Sequence, residues 1–382
     1  MPNSKQNYLP FARPYIEKEE IDGVVDSLKS GWITMGPKTH QFEELIAKYV
    51  GSKHVVCVNS ATAAMHLCLI ALGIGKGDEV IIPSYTFAAT GEVVINVGAK
   101  PVLVDVQKDT FCIDPKKIEQ AITKRTKAII PVHFGGQSCD IDEITKIAKK
   151  HKLIVIEDAA HAIGTSYKRK KIGTFSKATC FSFYATKNIT TGEGGAVATS
   201  DKKLANKLKV LRLHGISKDA WKRYTKSGSW YYEIEESGWK YNPTDLEAAL
   251  GIAQMGKIDK LMNLRKKYAK MYDKEFSKIK GLRIPTRKSD RDNAYHLYPL
   301  ILENYDRSKF IDEMSERGIG CSVHFIPLHM HPFYKRTFGF KPNDLPVTKW
   351  LYEHEVSLPL FPKMSESDVN RVIKAVKEIL NE

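Results

Sequence analysis

Phe181-Ser182-Phe183-Tyr184-Ala185-Thr186-Lys187-Asn188-Ile189-Thr190-Thr191-Gly192-Glu193-Gly194-Gly195 is the stretch that decides the fold. A short apolar strand stops, one lysine projects from the turn behind it, and a glycine-rich segment follows. Gly194 and Gly195 allow the backbone to approach a bulky ligand and to adopt positive φ. Upstream, Leu153-Ile154-Val155-Ile156-Glu157-Asp158-Ala159-Ala160-His161 reads as an apolar strand ending in an acid. A lysine able to form a Schiff base, paired with an acid able to hold a pyridinium, is the signature expected of a pyridoxal-phosphate enzyme.

Around these two segments, short apolar runs alternate with helical patterns. Strands are expected at residues 55–58, 80–82, 102–105, 128–132, 153–157 and 178–183, and the gaps between them imply crossover connections and a mostly parallel sheet. Before the first strand, Ile21, Val24, Val25 and Leu28 fall at helical spacing with Gly31 placed to stop the helix. Phe42, Leu45, Ile46, Tyr49 and Val50 repeat the pattern ahead of Gly51. Residues 217–238 shift to mixed charge and aromatics (Trp221, Tyr224, Trp230, Tyr231, Tyr232) and read as a long excursion. Residues 244–260 form a helix with Thr244 or Asp245 near its N-cap. After it come a strand at 295–302, a helix at 309–317, a strand at 322–325 and a last helix from Ser365. The expected class is α/β: an N-terminal arm (1–15), a large domain (16–255) and a smaller C-terminal α/β domain (256–382).

The totals bound the class. With 382 residues, 42% hydrophobic and 27% charged, the chain suits a soluble enzyme of two domains. No apolar run is long enough to span a bilayer and the first residues carry no signal-peptide core, so a cytoplasmic location is expected. The six cysteines are scattered, giving neither a disulfide framework nor a zinc site. The net charge of +15 is dispersed over the helix faces, as at Lys202-Lys203 and Lys266-Lys267, so it reads as a solvated surface rather than a nucleic-acid stripe. Such a field helps gather a diphosphate-bearing substrate. Lys168-Arg169-Lys170-Lys171 reads as an exposed hairpin tip. His324, His329 and His331 lie close in sequence, but Pro327 breaks the regular spacing that metal ligands need.

The remaining chemistry is read piece by piece. Asn59-Ser60-Ala61-Thr62-Ala63-Ala64 opens a helix behind a strand, and small side chains there let a phosphate meet the backbone N–H groups. Ser182 could donate its hydroxyl to the same phosphate. Asp158 ends a strand at the position where open α/β sheets bind ligands. Phe87 follows another strand, where its ring could stack on a pyridine, and His161 could touch the cofactor's phenolic oxygen or ring face. Lys187 would shuttle a proton, a role that needs an amine well below the ordinary lysine value of about 10.4.

Together, the Gly31–Pro37 segment, the Asn59–Ala64 turn, Glu157-Asp158-Ala159-Ala160-His161-Ala162, the run from Ser182 to Gly195, Gly238-Trp239-Lys240-Tyr241-Asn242 and the segment from His324 to Tyr334 resemble the nucleotide-sugar aminotransferases of the DegT/StrS type. The resemblance covers essentially the full length. It implies a fold-type-I pyridoxal 5'-phosphate aminotransferase acting as a homodimer, with Lys187 and Asp158 as catalytic residues. It further implies a phosphate site at Ser182, Ala61 and Thr62, a stacking position at Phe87, and Asn242 reaching the partner subunit's phosphate. The chain looks most similar to members that aminate C4 of UDP-linked 4-keto sugars from L-glutamate, for lipopolysaccharide or another cell-surface polysaccharide or glycan. Alternative acceptors are a 3-keto sugar or a keto-cyclitol, and the alternative of another class is a regulator that binds the cofactor without turnover.

Overall fold

The computed structural model describes residues 8–217 and 231–381. Helices α1 (Lys18–Ser30) and α2 (Pro37–Val50) precede the first strand. Then come β1 (His54–Val58), α3 (Ala61–Ala71), β2 (Glu79–Pro83), α4 (Ala88–Asn96), β3 (Lys100–Val104), α5 (Pro115–Ala121) and β4 (Thr126–Ile129). Next are α6 (Ile141–His151), β5 (Ile154–Asp158), the hairpin β6 (Ser166–Tyr167) and β7 (Lys170–Lys171), β8 (Ala178–Ser182), β9 (Gly195–Thr199) and α7 (Lys202–Leu211). Helices α8 (Asp245–Gly256) and α9 (Ile258–Phe276) lead into β10 (Leu282–Arg283), β11 (Arg291–Asp292), β12 (Tyr298–Leu302) and α10 (Arg307–Glu316). The chain closes with α11 (Pro332–Phe338), α12 (Pro346–His354), β13 (Glu355–Leu358) and α13 (Glu366–Leu380).

The seven-stranded main sheet runs β1-β9-β8-β5-β4-β2-β3, and a three-stranded sheet, β10-β12-β13, stands in the C-terminal part. In the main sheet β2, β3, β4, β5 and β8 pair in parallel, while β9 is antiparallel to both β1 and β8. Parallel strands are covered on both faces and therefore read as unbroken apolar runs. Side chains alternate across the sheet, so Val55 and Cys57 join one core while Val56 and Val58 join another on the opposite face. A third core, built on Tyr272, Phe276, Tyr298 and Val376, holds the small sheet against α9 and α13.

Local chemistry fixes the element ends. Gly31 and Gly51 end α1 and α2 in the left-handed conformation, at φ 74° and 77°. Thr244 caps α8 through a reciprocal pair with Glu247, and Ser365 caps α13 in the same way with Asp368. The lysine-rich hairpin tip is present, with Lys168 and Arg169 both at positive φ in the turn.

Several expectations are corrected. The helix expected over 244–260 breaks at Lys257, where α9 restarts. Residues 322–325 are not a strand; Ser322 makes an isolated bridge to Ser357. Strand β9 is not among the expected strands, because Gly-Ala-Val-Ala-Thr has little strand character until β1 and β8 pair with it on either side. Residues 8–15 are held to the C-terminal part, with Leu9 and Gly318–Gly320 exchanging backbone hydrogen bonds of 2.9 Å. Trp221, Tyr224 and Trp230 lie outside the described residues, while Tyr231 and Tyr232 are exposed. No described helix is long and apolar enough to cross a membrane.

Helix α1 carries its apolar stripe outward. Ile21, Val25 and Leu28 are 58%, 40% and 55% exposed, while Glu20 and Ser27 are buried. The inner face is small and polar. Gly23 lies on Ala249 of α8, and Glu20 accepts from Gln254 Nε2 (2.7 Å) and Lys257 Nζ (2.8 Å).

Candidate active site

The C-terminal ends of β2, β4, β5 and β8 open into one cavity of about 490 Å³, at the place where α/β sheets bind ligands. Seven of the eight residues singled out from the sequence line it: Ala61, Thr62, Phe87, Asp158, His161, Ser182 and Lys187. Asn242 does not. It precedes α8, its Nδ2 donates to Pro243 O, and its Oδ1 is buried without a partner among the described residues.

Asp158 is the last residue of β5 and is 5% exposed. Thr90, in the first turn of α4, donates its hydroxyl to Oδ2 at 2.8 Å, and the Ala160 N–H donates to Oδ1 at 3.1 Å. Since the Thr90 proton is committed to Asp158, the Thr86 hydroxyl 2.8 Å away must donate to Thr90. Burial pushes the Asp158 carboxyl up, and the Thr90 hydroxyl is the largest influence opposing it. Thr86 and Thr90 were missed in the sequence, where their only signal was proximity to Phe87.

Lys187 lies on the turn between β8 and β9, its N–H donating to Tyr184 O at 2.9 Å. The residue is part-accessible because it opens on the cavity. Protein surrounds the amine closely, however, and burial lowers it to about 8 against the opposing pull of Asp158. A neutral amine is therefore within reach near neutral pH, as Schiff-base chemistry requires.

The N-terminus of α3 forms an anion cradle. Ser60 Oγ accepts the Ala63 N–H at 3.0 Å and Ser60 O accepts that of Ala64, which leaves the first-turn N–H groups of Ala61 and Thr62 for a ligand. A Cβ on Gly195 would stand 2.4–2.5 Å from the Ser60–Ala61 backbone, so only glycine lets β9 lie against the cradle. Ser182 ends β8 on the same cavity. The residues present fit pyridoxal phosphate: an N–H cradle and a hydroxyl for the phosphate, an acid for the ring nitrogen, and an enclosed amine for the aldehyde.

Histidines complete the wall. Phe87 precedes α4 and exposes its ring, 6.0 Å from Phe325. His161 stacks on Phe325 at 5.9 Å and packs 4.4 Å from His296. Burial holds both imidazoles well below the usual histidine range, so both are neutral. His161 Nδ1 accepts the Gly135 N–H at 3.3 Å, placing its proton on Nε2. Asn188 Nδ2 donates to Ala294 O, so its Oδ1 accepts from His296 Nδ1 at 3.2 Å. His296 was missed, because it comes from a distant segment with no pattern of its own. His324 also lines the cavity, whereas His329 bonds Ser84 and His331 reaches Ile326 O.

A model described as the DegT/DnrJ/EryC1/StrS aminotransferase family matches residues 14–377. SpsC of Bacillus subtilis (strain 168), a spore coat polysaccharide biosynthesis protein, is 49% identical over 385 residues, covering 100% of this chain and 99% of SpsC. Spr1654 from Streptococcus pneumoniae, solved in a PMP form, superposes with a TM-score of 0.93 at 36% identity over 98% of this chain and 99% of that chain. Its PLP form gives 0.92 at 35% identity. PseC of Helicobacter pylori, an aminotransferase involved in the biosynthesis of pseudoaminic acid, gives 0.91 at 30% identity over 98% and 100% of the two chains.

Proposed function

Because the chain belongs to the DegT/DnrJ/EryC1/StrS aminotransferase family and is thereby a pyridoxal-phosphate-dependent sugar aminotransferase, we propose that it moves an amino group from L-glutamate onto the C4 keto group of a UDP-linked 4-keto sugar. The observation that carries the reading is the enclosed Lys187 amine sharing a cavity with Asp158. The product would serve a cell-surface polysaccharide or glycan made from cytoplasmic precursors; the likeness to SpsC supports this assignment.

When bound, the cofactor supplies an electron-accepting ring and a carbon that carries nitrogen between donor and acceptor. Each side chain has its own part. Ala61 and Thr62 N–H groups with the Ser182 hydroxyl would hold the phosphate. Asp158, aligned by the Thr86–Thr90 hydroxyl pair, would keep the ring nitrogen protonated, and Phe87 and His161 would bound the ring faces. Lys187 has an amine that is neutral often enough to take a proton from the substrate carbon and return it, as general base and then general acid. His161 and His296, both neutral, and the Phe325 ring line the same cavity without adding charge beside that amine, whose lowering comes from burial.

The working unit in this reading is a homodimer with shared sites. Among the described residues, the side chains lining the cavity include no arginine and no lysine besides Lys187, yet a phosphate, a diphosphate and a dicarboxylate must all be held there. A second chain would supply what is missing. Asn242, with its Oδ1 unpartnered among the described residues, is the residue assigned to the partner's phosphate, and the outward stripe of α1 offers an apolar surface for docking. The division of the chain near residue 256 belongs to the same proposal and rests on the break between α8 and α9.

The test is a panel of nucleotide-linked keto sugars incubated with holoenzyme and L-glutamate, with products identified by mass spectrometry and NMR. Amination at C4 of a UDP-linked member, absent without glutamate, is expected. Amination confined to a 3-keto sugar or keto-cyclitol would move the assignment to that acceptor, and no amination of any member would leave the regulator reading standing.

A further inference from the structure

His324 reaches the cavity from the segment before α11, and it ends a chain of polar groups that the reaction so far leaves unused. Its Nδ1 lies 2.9 Å from Ser357 Oγ, and Ser357 Oγ lies 2.5 Å from Glu355 Oε1. Glu355 Oε2 accepts the backbone N–H of His324 at 2.9 Å, which closes the circuit. Glu355 and Ser357 stand on β13 and are both 0% exposed. No ion pair to Glu355 is found among the described residues. An uncompensated carboxylate is costly in such a place, and burial pushes the carboxyl up to about 8. The groups facing it are Arg307 of α10, Cys321, and Tyr85, whose hydroxyl is buried without a partner among the described residues. His324 itself is lowered to about 3, chiefly by burial and then by Lys187, so its ring stays neutral and carries one proton.

We propose that Glu355 and Ser357 are positioning residues that decide which nitrogen of His324 carries that proton, and so whether Nε2 meets the substrate as a donor or as an acceptor. The inference rests on reading this cavity as the transaminase site. With Glu355 ionised, Ser357 donates to the carboxylate and accepts from His324 Nδ1–H, and Nε2 keeps a lone pair. With Glu355 protonated, its O–H donates to Ser357, Ser357 donates to Nδ1, and the proton sits on Nε2. The two states differ by one proton. When Nε2–H gives its proton to the cavity, the Ser357 proton moves to Nδ1, the Glu355 proton moves to Ser357, and Glu355 is left as a carboxylate. At neutral pH the protonated arrangement prevails, so His324 offers Nε2–H to an anionic oxygen. Two substrates provide one: the glutamate carboxylate and the sugar diphosphate.

The test is a pH titration of holoenzyme labelled with ¹⁵N-histidine, in which NMR separates the Nδ1–H and Nε2–H forms of His324, assigned through His324→Asn. A His324 titration that persists in Glu355→Gln would come from the Lys187 nitrogen rather than from the carboxyl, and would count against the relay. Wild-type protein should pass from Nε2–H to Nδ1–H as pH rises through about 8. Glu355→Gln, a neutral donor at every pH, should pin the Nε2–H form, and Ser357→Ala should abolish the pH dependence. KM for the substrate whose anion His324 holds should rise about tenfold from pH 7 to pH 9 in wild type and stay level in Glu355→Gln. The glutamate and nucleotide-sugar arms, measured separately, identify that substrate. A fixed tautomer in wild type, or an unchanged titration in Ser357→Ala, overturns the inference; the wild-type titration decides alone if a variant fails to fold. Since the signal does not depend on turnover, a switching tautomer with no aminated product would overturn only the function, and an active enzyme with a fixed tautomer would overturn only the relay.

Discussion

Lys187 stands between two opposing influences, and their balance sets what the enzyme can do at neutral pH. Enclosure disfavours its ammonium, Asp158 favours it, and enclosure wins, bringing the group to about 8. Only the neutral amine attacks an aldehyde, so the rate at which apo-protein takes up pyridoxal phosphate should rise with pH and level off above about 8. A rate still climbing toward the ordinary lysine value of about 10.4 would show the amine to be solvated, and stopped-flow absorbance distinguishes the two. Asp158 is raised by its burial, and against that Thr90, Ala160 and the charge of Lys187 favour the carboxylate. Asp158→Asn keeps the shape but cannot hold a pyridinium charge, so turnover should fall by the equivalent of about 2–5 kcal/mol while the cofactor still binds. Near-normal turnover would make Asp158 a structural residue. Both positions were legible in the sequence because Asp158 ends one conspicuous apolar strand and Lys187 stands on the turn behind another. Thr90 and His296 were not: a threonine in a helix and a histidine in a loop acquire meaning only once β5 and the 294–297 segment are brought beside them.

Elements were legible where one chemistry dominated and obscure where neighbours decided. Helix α2 announced itself by spacing and by Gly51, and α13 by Ser365. Strand β9 did not, since its small residues acquire strand geometry from β1 and β8. That same smallness lets it touch the N-terminus of α3, which makes Gly195 a sharp test of the proposed phosphate cradle. Gly195→Ala should leave a folded chain by circular dichroism, shift the α3 N-terminus, and weaken pyridoxal-phosphate binding by about tenfold or more, the equivalent of about 1.4 kcal/mol. Unchanged cofactor affinity, measured by equilibrium dialysis, would show that the cradle does not depend on this contact. The segment at 322–325 misled for the opposite reason. Ser-Val-His-Phe has strand-like residues, yet among the described residues its strand-type pairing is limited to the Ser322–Ser357 bridge, and His324 is turned toward the cavity instead.

At the scale of the whole molecule, the proposed pairing of chains rests on two features: a cavity in which Lys187 is the lone lysine or arginine among the described residues, and an apolar stripe on α1 that faces away from its own core. Val25→Glu with Leu28→Glu should shift the light-scattering mass to that of a monomer and depress activity, with little change to the chain's own fold, because both side chains are exposed in it. A fully active monomer would remove the shared-site account. The account as a whole turns on which lysine carries the cofactor. Borohydride reduction of the holoenzyme followed by proteolysis and peptide mapping reads this directly: a pyridoxyl adduct on Lys187 is the predicted result, and an adduct on any other lysine would contradict it.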